Sequence, residues 1–562
     1  MAAKKSLGDS LVQEGAITTE QLKGALDEEK NTGERLIKVL VKKGFIAEED
    51  LAAFVSNKLG LLRIELGNYV IDPKVIDVVP EELARKYDLV PVLKIGNRLT
   101  CAMVDPWDIF ALDEVRMKTN LIIEPAVATE TEVKKVINEY YGAKGSFEDI
   151  VKSVKQDNAA AEDVLDIDIE QLKGAVEEPA VIRLVNLMIA KAVNQDASDI
   201  HLEPEETELK VRFRVDGIMH EEPSLPRHIQ AAIISRVKIL SNLDISERRL
   251  PQDGRFNVNV EGKNIDIRTS AIPTIYGESV VLRLLDMSNA CRELSSLGFA
   301  KEVLSGFEKL ITSPNGIILV TGPTGCGKTT TLYASLNKIS TVEKSIVTIE
   351  DPVEYRLGGI RQIQVDTKVG LTFSAGLRSV LRHDPDIVMV GEIRDFETAE
   401  IAAHAALTGH LVFSTLHTNS AAGAILRIIN MGIEPYLVAY SVIGALAQRL
   451  VRKLCVHCKQ AFEPQNELKE ELGLRADESI TLFKANGCPK CSNTGYRGRV
   501  GIYELINIDA KIGDLIITKS SINEIEQYAK STGMISLYED GLQKVKKGIT
   551  TFEEILRVTK EQ

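Results

Sequence analysis

The sequence predicts a multidomain α/β protein, and three observations support this prediction. The chain has 562 residues, which is too long for one ordinary domain, so three or four domains are expected. Its second half contains four short, almost continuous apolar runs: GIILVTG, SIVTIED, DIVMVGE and HLVFSTLHT. Such runs, followed by helical stretches, are typical of parallel strands that are covered on both faces. An earlier region instead contains alternating segments such as ELKVRFRVDG, which indicate a further α/β or α+β domain.

Changes of pattern along the chain divide it into five predicted regions. The first is repetitive and helical, the third is acidic with little sustained periodicity, and the last two contain the strands described above. In order they are a helical tandem-repeat module (1–60), a small α/β domain (61–141), a linker (142–178), an arginine-rich α/β domain (179–290) and a parallel-sheet α/β domain (291–562).

The N-terminal module contains two copies of one pattern. The first copy is SLGDSLVQEGAITTEQLKGALDEE and the second is RLIKVLVKKGFIAEEDLAAFVSNK. Each copy predicts two short helices. Gly15 and Gly44 are expected to end the first helix of each copy, as glycine does at a C-terminal cap. Thr18 is expected to cap the following helix together with Gln21, three residues later.

Charge and hydropathy argue against two classes of protein. The formal net charge is −13, which argues against a dedicated nucleic-acid binder, because phosphate contacts need clustered basic residues. The longest apolar candidate, LVAYSVIGALA at 437–447, is shorter than the roughly 18 residues of a membrane span. We predict that it forms a core helix. The start of the sequence has no signal-peptide pattern, so a cytosolic protein that could dock on a membrane protein is expected.

A phosphate-binding loop is the most specific motif of the sequence. The segment GPTGCGKTT matches the pattern G-x-x-x-x-G-K-[ST] between a predicted strand and a predicted helix. Backbone N–H groups and the helix N-terminus would bind phosphate oxygens, Lys328 would reach the β and γ phosphates, and Thr329 would ligate Mg²⁺. The alternative, a glycine-rich turn, is far less specific. The nucleotide-binding residues are Gly322, Pro323, Thr324, Gly325, Cys326, Gly327, Lys328, Thr329 and Thr330.

Carboxylates follow two other predicted strands. Glu392 comes at the end of IVMVGE, where open α/β sheets bind ligands, and Gly391 stands where many P-loop ATPases carry Asp. The segment IEDPVEY places Glu350, Asp351 and Glu354 together. One of these three carboxylates could orient or polarise the attacking water during nucleotide hydrolysis. For any one of them, a solvated turn is an equally good interpretation.

Two histidines lie on either side of a fourth predicted strand, in TGHLVFSTLHT. Histidine can hydrogen-bond to a phosphate or respond to its loss, so His410 and His417 are candidates for nucleotide-linked residues. A histidine at a strand end is more often structural.

Four of the seven cysteines form two C-x-x-C pairs. Cys455 and Cys458 precede Cys488 and Cys491 by a segment of 29 residues, 459–487. Two such turns let four thiolates converge as a tetrahedron, which is the arrangement of a structural Zn²⁺ site. A pair of redox disulfides is the alternative, and His457 is expected to be exposed rather than a fifth ligand.

The motifs GPTGCGKTT, TIEDPVEY, VGEIRD and TGHLVFSTLHT, in this order, resemble those of the secretion ATPases of type II secretion and type IV pili. The resemblance covers roughly 180–562 and implies a RecA-like hexameric ATPase. It implies that Glu354 polarises water, that Glu392 is the acidic residue of the second phosphate-facing strand, and that His410 and His417 are linked to nucleotide. The tetracysteine segment resembles that of the pilus-extension and type II secretion ATPases, and retraction ATPases typically lack it.

The arginine-rich domain contains five arginines in or next to predicted strands. They are Arg212, Arg214, Arg255, Arg268 and Arg283. An arginine can supply positive charge to a phosphoryl-transfer transition state. Pairing with local acids such as Asp216, Asp253 and Asp266 is the alternative for any one of them. By the family resemblance, Arg268 and Arg283 are the first candidates for nucleotide contact and Arg255 is the next.

The resemblance implies a cytoplasmic homohexamer that uses ATP and Mg²⁺, holds Zn²⁺, and drives pilus assembly through an inner-membrane platform protein. A type II secretion ATPase is the nearest alternative. A DNA-transport motor and a nucleotide-bound scaffold without turnover are alternatives from other classes.

The tandem repeat also resembles an N-terminal module of pilus and secretion ATPases that can bind cyclic-di-GMP. That module begins each copy with Arg-Leu-Gly and ends it with Gln. Here the copies begin Ser-Leu-Gly and Arg-Leu-Ile, and they end at Glu29 and Lys58. Only Arg35 is retained, so a docking module for a partner protein is favoured over cyclic-di-GMP binding.

Overall fold

The fold is described from a computed structural model that covers residues 11–32, 36–141, 179–286, 293–473, 475 and 478–559. The chain separates into two units, Met1–Asp286 and Met287–Gln562, and each is described by itself. The predicted linker, 142–178, and Arg35 lie outside the described residues. Among the described residues, no helix is both long enough and apolar enough to cross a bilayer.

The first unit begins with the helices of the tandem repeat. Gly15 and Gly44 adopt positive φ angles of 75° and 68°, which is the left-handed conformation expected where a helix ends. The Thr18 N–H donates to the Gln21 side chain at 2.7 Å, and the Gln21 N–H donates to the Thr18 hydroxyl at 3.2 Å. These reciprocal bonds form the predicted capping box. The helices are α1 (Thr19–Thr32), α2 (Leu36–Lys42) and α3 (Glu48–Leu59).

A three-stranded sheet with its own apolar core follows the repeat. Its strand order is β2-β3-β4, with an antiparallel first pair and a parallel second pair. The elements of this segment are β1 (Tyr69–Val70), α4 (Pro73–Ile76), α5 (Glu81–Tyr87), β2 (Leu89–Ile95), β3 (Arg98–Met103), α6 (Ile109–Thr119), β4 (Ile122–Val127) and α7 (Glu130–Tyr141).

An eight-stranded sheet completes the first unit. Its order is β1-β9-β10-β11-β5-β6-β7, and β8 pairs with β6. Buried and partly exposed residues alternate along β6, as expected for a strand with one face on a core. The elements are α8 (Pro179–Asn194), β5 (Ala197–Pro204), β6 (Glu208–Val215), β7 (Ile218–Glu221), β8 (Leu225–Pro226), α9 (Gln230–Leu240), β9 (Gln252–Val260), β10 (Lys263–Thr274) and β11 (Gly277–Asp286).

The second unit contains a seven-stranded sheet of order β14-β13-β15-β16-β12-β17-β20. All neighbouring strands are parallel except the last pair. Every residue of β12, β13, β15 and β16 is buried. The structure thus confirms the predicted parallel sheet, whose central strands are covered on both faces.

The elements of the second unit run in the following order. They are α10 (Lys301–Ile311), β12 (Gly316–Thr321), α11 (Lys328–Ile339), β13 (Ile346–Glu350), β14 (Arg361–Gln364), α12 (Phe373–Val380), β15 (Ile387–Val390), α13 (Phe396–Leu407), β16 (Leu411–Leu416), α14 (Ala421–Asn430), α15 (Pro435–Ser441), β17 (Val442–Leu454), β18 (Gln460–Phe462), α16 (Asn466–Glu471), β19 (Leu482–Lys484), β20 (Tyr496–Asn507), α17 (Ala510–Ile517), α18 (Ile522–Ser531), α19 (Leu537–Lys546) and α20 (Phe552–Thr559).

The predicted core helix at 437–447 is wrong for most of its length. Helix α15 ends at Ser441, and the chain continues as β17, which pairs with β12 on one side and β20 on the other. A short apolar run does not distinguish a buried helix from a buried strand. Here the open edge of β12 decides the conformation, and the correction places β17 directly beside the phosphate-binding loop.

Candidate nucleotide site and metal centre

The glycine-rich segment forms a tight loop between β12 and α11. Gly322, Gly325 and Gly327 have φ angles of 150°, 78° and 90°, which favour glycine. A Cβ atom on Gly322 would lie 2.5 Å from the Cys326 sulfur and 2.6 Å from the Gln448 carbonyl oxygen. The loop therefore requires glycine both for its backbone conformation and for its close packing.

The lysine of the loop folds over the backbone beneath it. The Lys328 ammonium donates to the carbonyl oxygens of Gly322 at 2.8 Å and Pro323 at 3.1 Å. Burial is the main cause that lowers the pKa of Lys328, and the nearby cation of Arg449 acts in the same direction. Because an anion would offset both effects, the site fits a phosphate group.

Thr329 and Thr330 lie in the first turn of α11, where backbone N–H groups have no partners within the helix. The loop thus combines N–H donors, a lysine and a threonine hydroxyl. This donor set fits nucleotide phosphates and Mg²⁺. Thr329 would be the protein ligand of the ion, and the ion would neutralise charge on the phosphates.

Two residues of β17, which sequence reasoning missed, lie next to the loop at Gly322. The Gln448 side chain donates to the Cys326 carbonyl at 2.7 Å and accepts from the Thr331 hydroxyl at 2.8 Å. Arg449 is 6% exposed and donates to the backbone carbonyl of Asn419 at 3.2 Å and to its side chain at 3.0 Å. The sequence contained a signal for these two residues, because Gln448 and Arg449 form a polar pair inside an otherwise apolar run.

Glu392 and His417 meet at the carboxyl ends of adjacent strands. The Glu392 carboxylate lies 3.4 Å from His417 Nε2 and 2.5 Å from Arg394 Nη2. Its charge also acts on Lys328. The structure thus brings three predicted site residues, Lys328, Glu392 and His417, to one edge of the sheet.

Glu354 lies in the loop after β13, at the same edge of the sheet. Its backbone N–H donates to the Tyr333 hydroxyl at 3.3 Å. Glu350, four residues earlier, is instead 3% exposed and bonded to neighbouring side chains. Glu350 is thus buried, whereas Glu354 is only partly buried.

His410 is not brought to the phosphate-binding loop of this chain. It precedes β16, and its Nδ1 lies 2.9 Å from the Ala405 carbonyl oxygen and 3.3 Å from the Thr408 hydroxyl. The loop and His417 lie at the opposite, carboxyl edge of the sheet, and β16 spans six residues, or about 20 Å. In this chain His410 caps the end of α13.

The arginines of the first unit form a row across its sheet. Arg268 on β10 lies directly opposite Arg255 on β9 and Arg283 on β11. Arg283 in turn lies opposite Asp199, whose carboxylate is 3.2 Å from Arg283 Nε and 3.6 Å from Arg214 Nε. Opposite residues of neighbouring strands have Cβ atoms about 5 Å apart, where like charges are destabilising. The three guanidinium groups therefore lie next to one another on one face of the sheet.

Two acids that the sequence did not point to pair with three of these arginines. Arg212 bonds Glu203 at 2.6 Å, and Arg214 and Arg283 share Asp199. Cross-strand register selects these partners, which sequence distance does not show.

The four cysteines converge as the C-x-x-C spacing predicts. Their sulfur atoms lie within 4.8 Å of one another, with separations of 3.9 Å for Cys455–Cys488, 3.8 Å for Cys458–Cys491 and 3.7 Å for Cys488–Cys491. A tetrahedral zinc with Zn–S bonds of about 2.3 Å needs sulfurs about 3.8 Å apart. The donor set therefore fits structural Zn²⁺, and His457 is exposed, as expected.

The metal centre closes the end of a strand pair. Cys455 follows β17 directly, and its N–H donates to the Gly495 carbonyl at 2.9 Å, next to the start of β20. The Gly495 and Cys488 N–H groups each donate to the Cys491 sulfur at 3.2 Å. The cysteine cluster thus lies at the end of the strand that carries Gln448 and Arg449.

The fold and the two sites define a P-loop ATPase with a tetracysteine centre. Residues 175–557 match the type II/IV secretion system protein family, and residues 59–147 match the MshEN domain. The chain belongs to the type II/IV secretion ATPase family.

Two curated relatives are similar over the whole chain. The type IV pilus assembly ATPase PilB of Myxococcus xanthus is 46% identical over 555 residues, which cover 98% of each chain. The type II secretion system protein E of Xanthomonas campestris pv. campestris is 42% identical over 569 residues, covering 100% of this chain and 99% of the relative. Among solved structures, the ATPase DotB of Yersinia pseudotuberculosis superposes with a TM-score of 0.51 at 18% identity, covering 72% and 97% of the two chains.

Proposed function

We propose that this chain is a hexameric ATPase that drives the assembly of type IV pili. The observation that carries the proposal is the 46% identity to a pilus assembly ATPase over 98% of both chains. The P-loop site supports ATP as the substrate, and the tetracysteine centre fits the extension and secretion branch of the family.

In the proposed reaction, the residues of the second unit bind and orient the nucleotide. Lys328 and the loop N–H groups hold the phosphates. Glu354 polarises the attacking water, and Glu392 with His417 responds to the γ-phosphate. The arginine row supplies guanidinium groups that stabilise the charge of the transition state.

Replacement of Arg268 by alanine is expected to lower kcat for ATP hydrolysis by about 100-fold or more, because the proposal assigns this guanidinium to the charge of the transition state. Arg212→Ala is the matched control, since Arg212 lies on the same sheet and bonds Glu203. Phosphate release by the purified oligomer measures both variants. Unchanged turnover in Arg268→Ala would contradict the proposal that the arginine row stabilises the charge of the transition state.

A type II secretion ATPase remains the second candidate, supported by the 42% identity to a type II secretion protein over the whole chain. The test is complementation of a strain that lacks the gene. Surface pili and secreted proteins are both measured in each complemented strain. The wild-type chain should restore pili, and Lys328→Ala should restore none at equal expression. Restored protein export without pili would assign the chain to type II secretion.

We place the ATPase at the cytoplasmic face of the inner membrane. Its proposed partner is a platform protein, on which ATP hydrolysis would perform mechanical work. A pull-down from membranes should recover that platform protein. The two alternatives from other classes make different predictions: DNA-stimulated, salt-sensitive activity for a DNA motor, and no phosphate release for a scaffold.

For the N-terminal helices we propose docking on a partner protein. The MshEN match begins at residue 59, so it leaves the tandem repeat almost entirely unmatched. Cyclic-di-GMP is the alternative ligand of this region. Calorimetry on the full chain decides between them, since micromolar binding of cyclic-di-GMP would overturn the docking proposal.

A further inference from the structure

A buried polar cluster joins α11 to the loop that carries Glu354. Tyr333 is 2% exposed and Glu350 is 3% exposed. The Tyr333 hydroxyl donates to one carboxylate oxygen of Glu350. The other oxygen accepts from the Thr348 hydroxyl at 2.5 Å and from the Gln362 side chain at 3.1 Å.

The same side chains hold the backbone of the loop. The Glu354 N–H donates to the Tyr333 hydroxyl at 3.3 Å. The Gln362 side chain donates to the Tyr355 carbonyl at 2.9 Å and accepts from the Leu357 N–H at 2.7 Å. The position of Glu354 is therefore set by side chains from α11 and β14.

Burying this polar cluster costs free energy of folding, which an arrangement that served only stability would avoid. A buried carboxylate loses its hydration and must be compensated by hydrogen bonds, and an apolar core at this position would avoid that cost. Burial, and then the charge of Glu350, raise the pKa of Tyr333. The Tyr333 hydroxyl therefore stays protonated. It donates a hydrogen bond to the Glu350 carboxylate and accepts one from the Glu354 N–H.

We propose that Tyr333 is a positioning residue for ATP hydrolysis and that it acts through Glu354. Tyr333 lies on the helix that begins at Lys328, so a single rigid element carries both the phosphate-binding lysine and the anchor of the water-polarising loop. A displacement of about 1 Å in a reacting group can cost about 100-fold in rate. The inference rests on the proposed function of Glu354.

The experiment compares kcat and KM for ATP in purified oligomers. Tyr333→Phe keeps the ring and removes the hydroxyl, so kcat should fall about tenfold or more while KM stays within about twofold. Tyr503→Phe is the matched control. Tyr503 is also 2% exposed, lies in the same apolar cluster, and donates its hydroxyl to the Leu297 carbonyl at 3.1 Å. Its loss of a buried hydrogen bond should leave kcat unchanged.

A second comparison tests whether Tyr333 acts through Glu354. Glu354→Gln should lose turnover, and adding Tyr333→Phe should not lower the residual rate further, because the group that Tyr333 positions is already absent. If Tyr333→Phe does not fold, Gln362→Met can be used instead, because it removes the contacts to Tyr355 and Leu357. This variant should also lower kcat while KM stays almost unchanged.

The outcomes separate this inference from the proposed function. Wild-type turnover in Glu354→Gln would overturn the catalytic assignment of Glu354, and with it this inference. Loss of turnover in Glu354→Gln together with wild-type kcat in Tyr333→Phe would overturn the inference alone. An equal loss in Tyr503→Phe would show that Tyr333 only stabilises the fold, and an additive loss in the double variant would show that Tyr333 does not act through Glu354.

Discussion

Replacement of Lys328 by alanine is expected to reduce ATP turnover by about 100-fold or more. The variant removes the one ammonium that lies on the phosphate-binding loop, at 2.8 Å from the Gly322 carbonyl. In the bound state that ammonium is expected to leave the carbonyls and stabilise the β and γ phosphates. At a site that excludes water, each such donor lowers the activation free energy by about 3–4 kcal/mol. Phosphate release by the purified protein, with nucleotide binding followed separately, measures the effect.

Lys338→Ala is the control for this prediction. Lys338 lies on the same helix, and its partly exposed side chain pairs with Glu308. Exposed pairs contribute little to stability, so its turnover should equal that of the wild type. Turnover by Lys328→Ala at the wild-type rate would show that the loop is not the hydrolytic site.

Loss of the metal centre is expected to have the second-largest effect. The double variant Cys488→Ser and Cys491→Ser removes two of four ligands, so bound zinc should fall from one ion per chain to none. The melting temperature should drop by about 6 °C or more, as expected if about 2–3 kcal/mol of stability is lost in a unit of this size. Metal analysis and thermal unfolding measure the two effects.

The zinc variant should also turn over ATP more slowly, because of where the centre lies. Cys455 directly follows β17, and Gln448 on the same strand holds the Cys326 carbonyl of the loop. Fraying of β17 from its end would loosen this contact. His457→Ala, which changes an exposed residue between two ligands, should keep one zinc per chain and wild-type stability. Full stability of the double cysteine variant would contradict a structural metal.

Short, contiguous motifs could be predicted from the sequence. The phosphate-binding loop follows from nine consecutive residues, because its function needs only local backbone geometry and the start of one helix. The cysteine pairs could also be predicted, since each C-x-x-C turn arranges two sulfurs by itself. The capping box of Thr18 and Gln21 depends on residues three positions apart and was confirmed for the same reason.

Features that depend on strand pairing could not be predicted. The apolar run at 437–447 becomes mostly strand because β12 offers an open edge, and this places Gln448 against Thr331, 117 residues earlier in the chain. The sequence placed His410 and His417 around one strand, and the sheet puts them at opposite edges.

Local patterns in the sequence were enough to assign the class of the protein, the phosphate-binding loop and the candidate metal ligands. The fold was needed to show which of these residues lie close to one another. Cross-strand register aligned Arg255, Arg268 and Arg283 in one row. Burial separated Glu350 from Glu354 and joined the former to Tyr333. Register and burial depend on contacts between segments that are distant in the chain, and local periodicity does not encode those contacts.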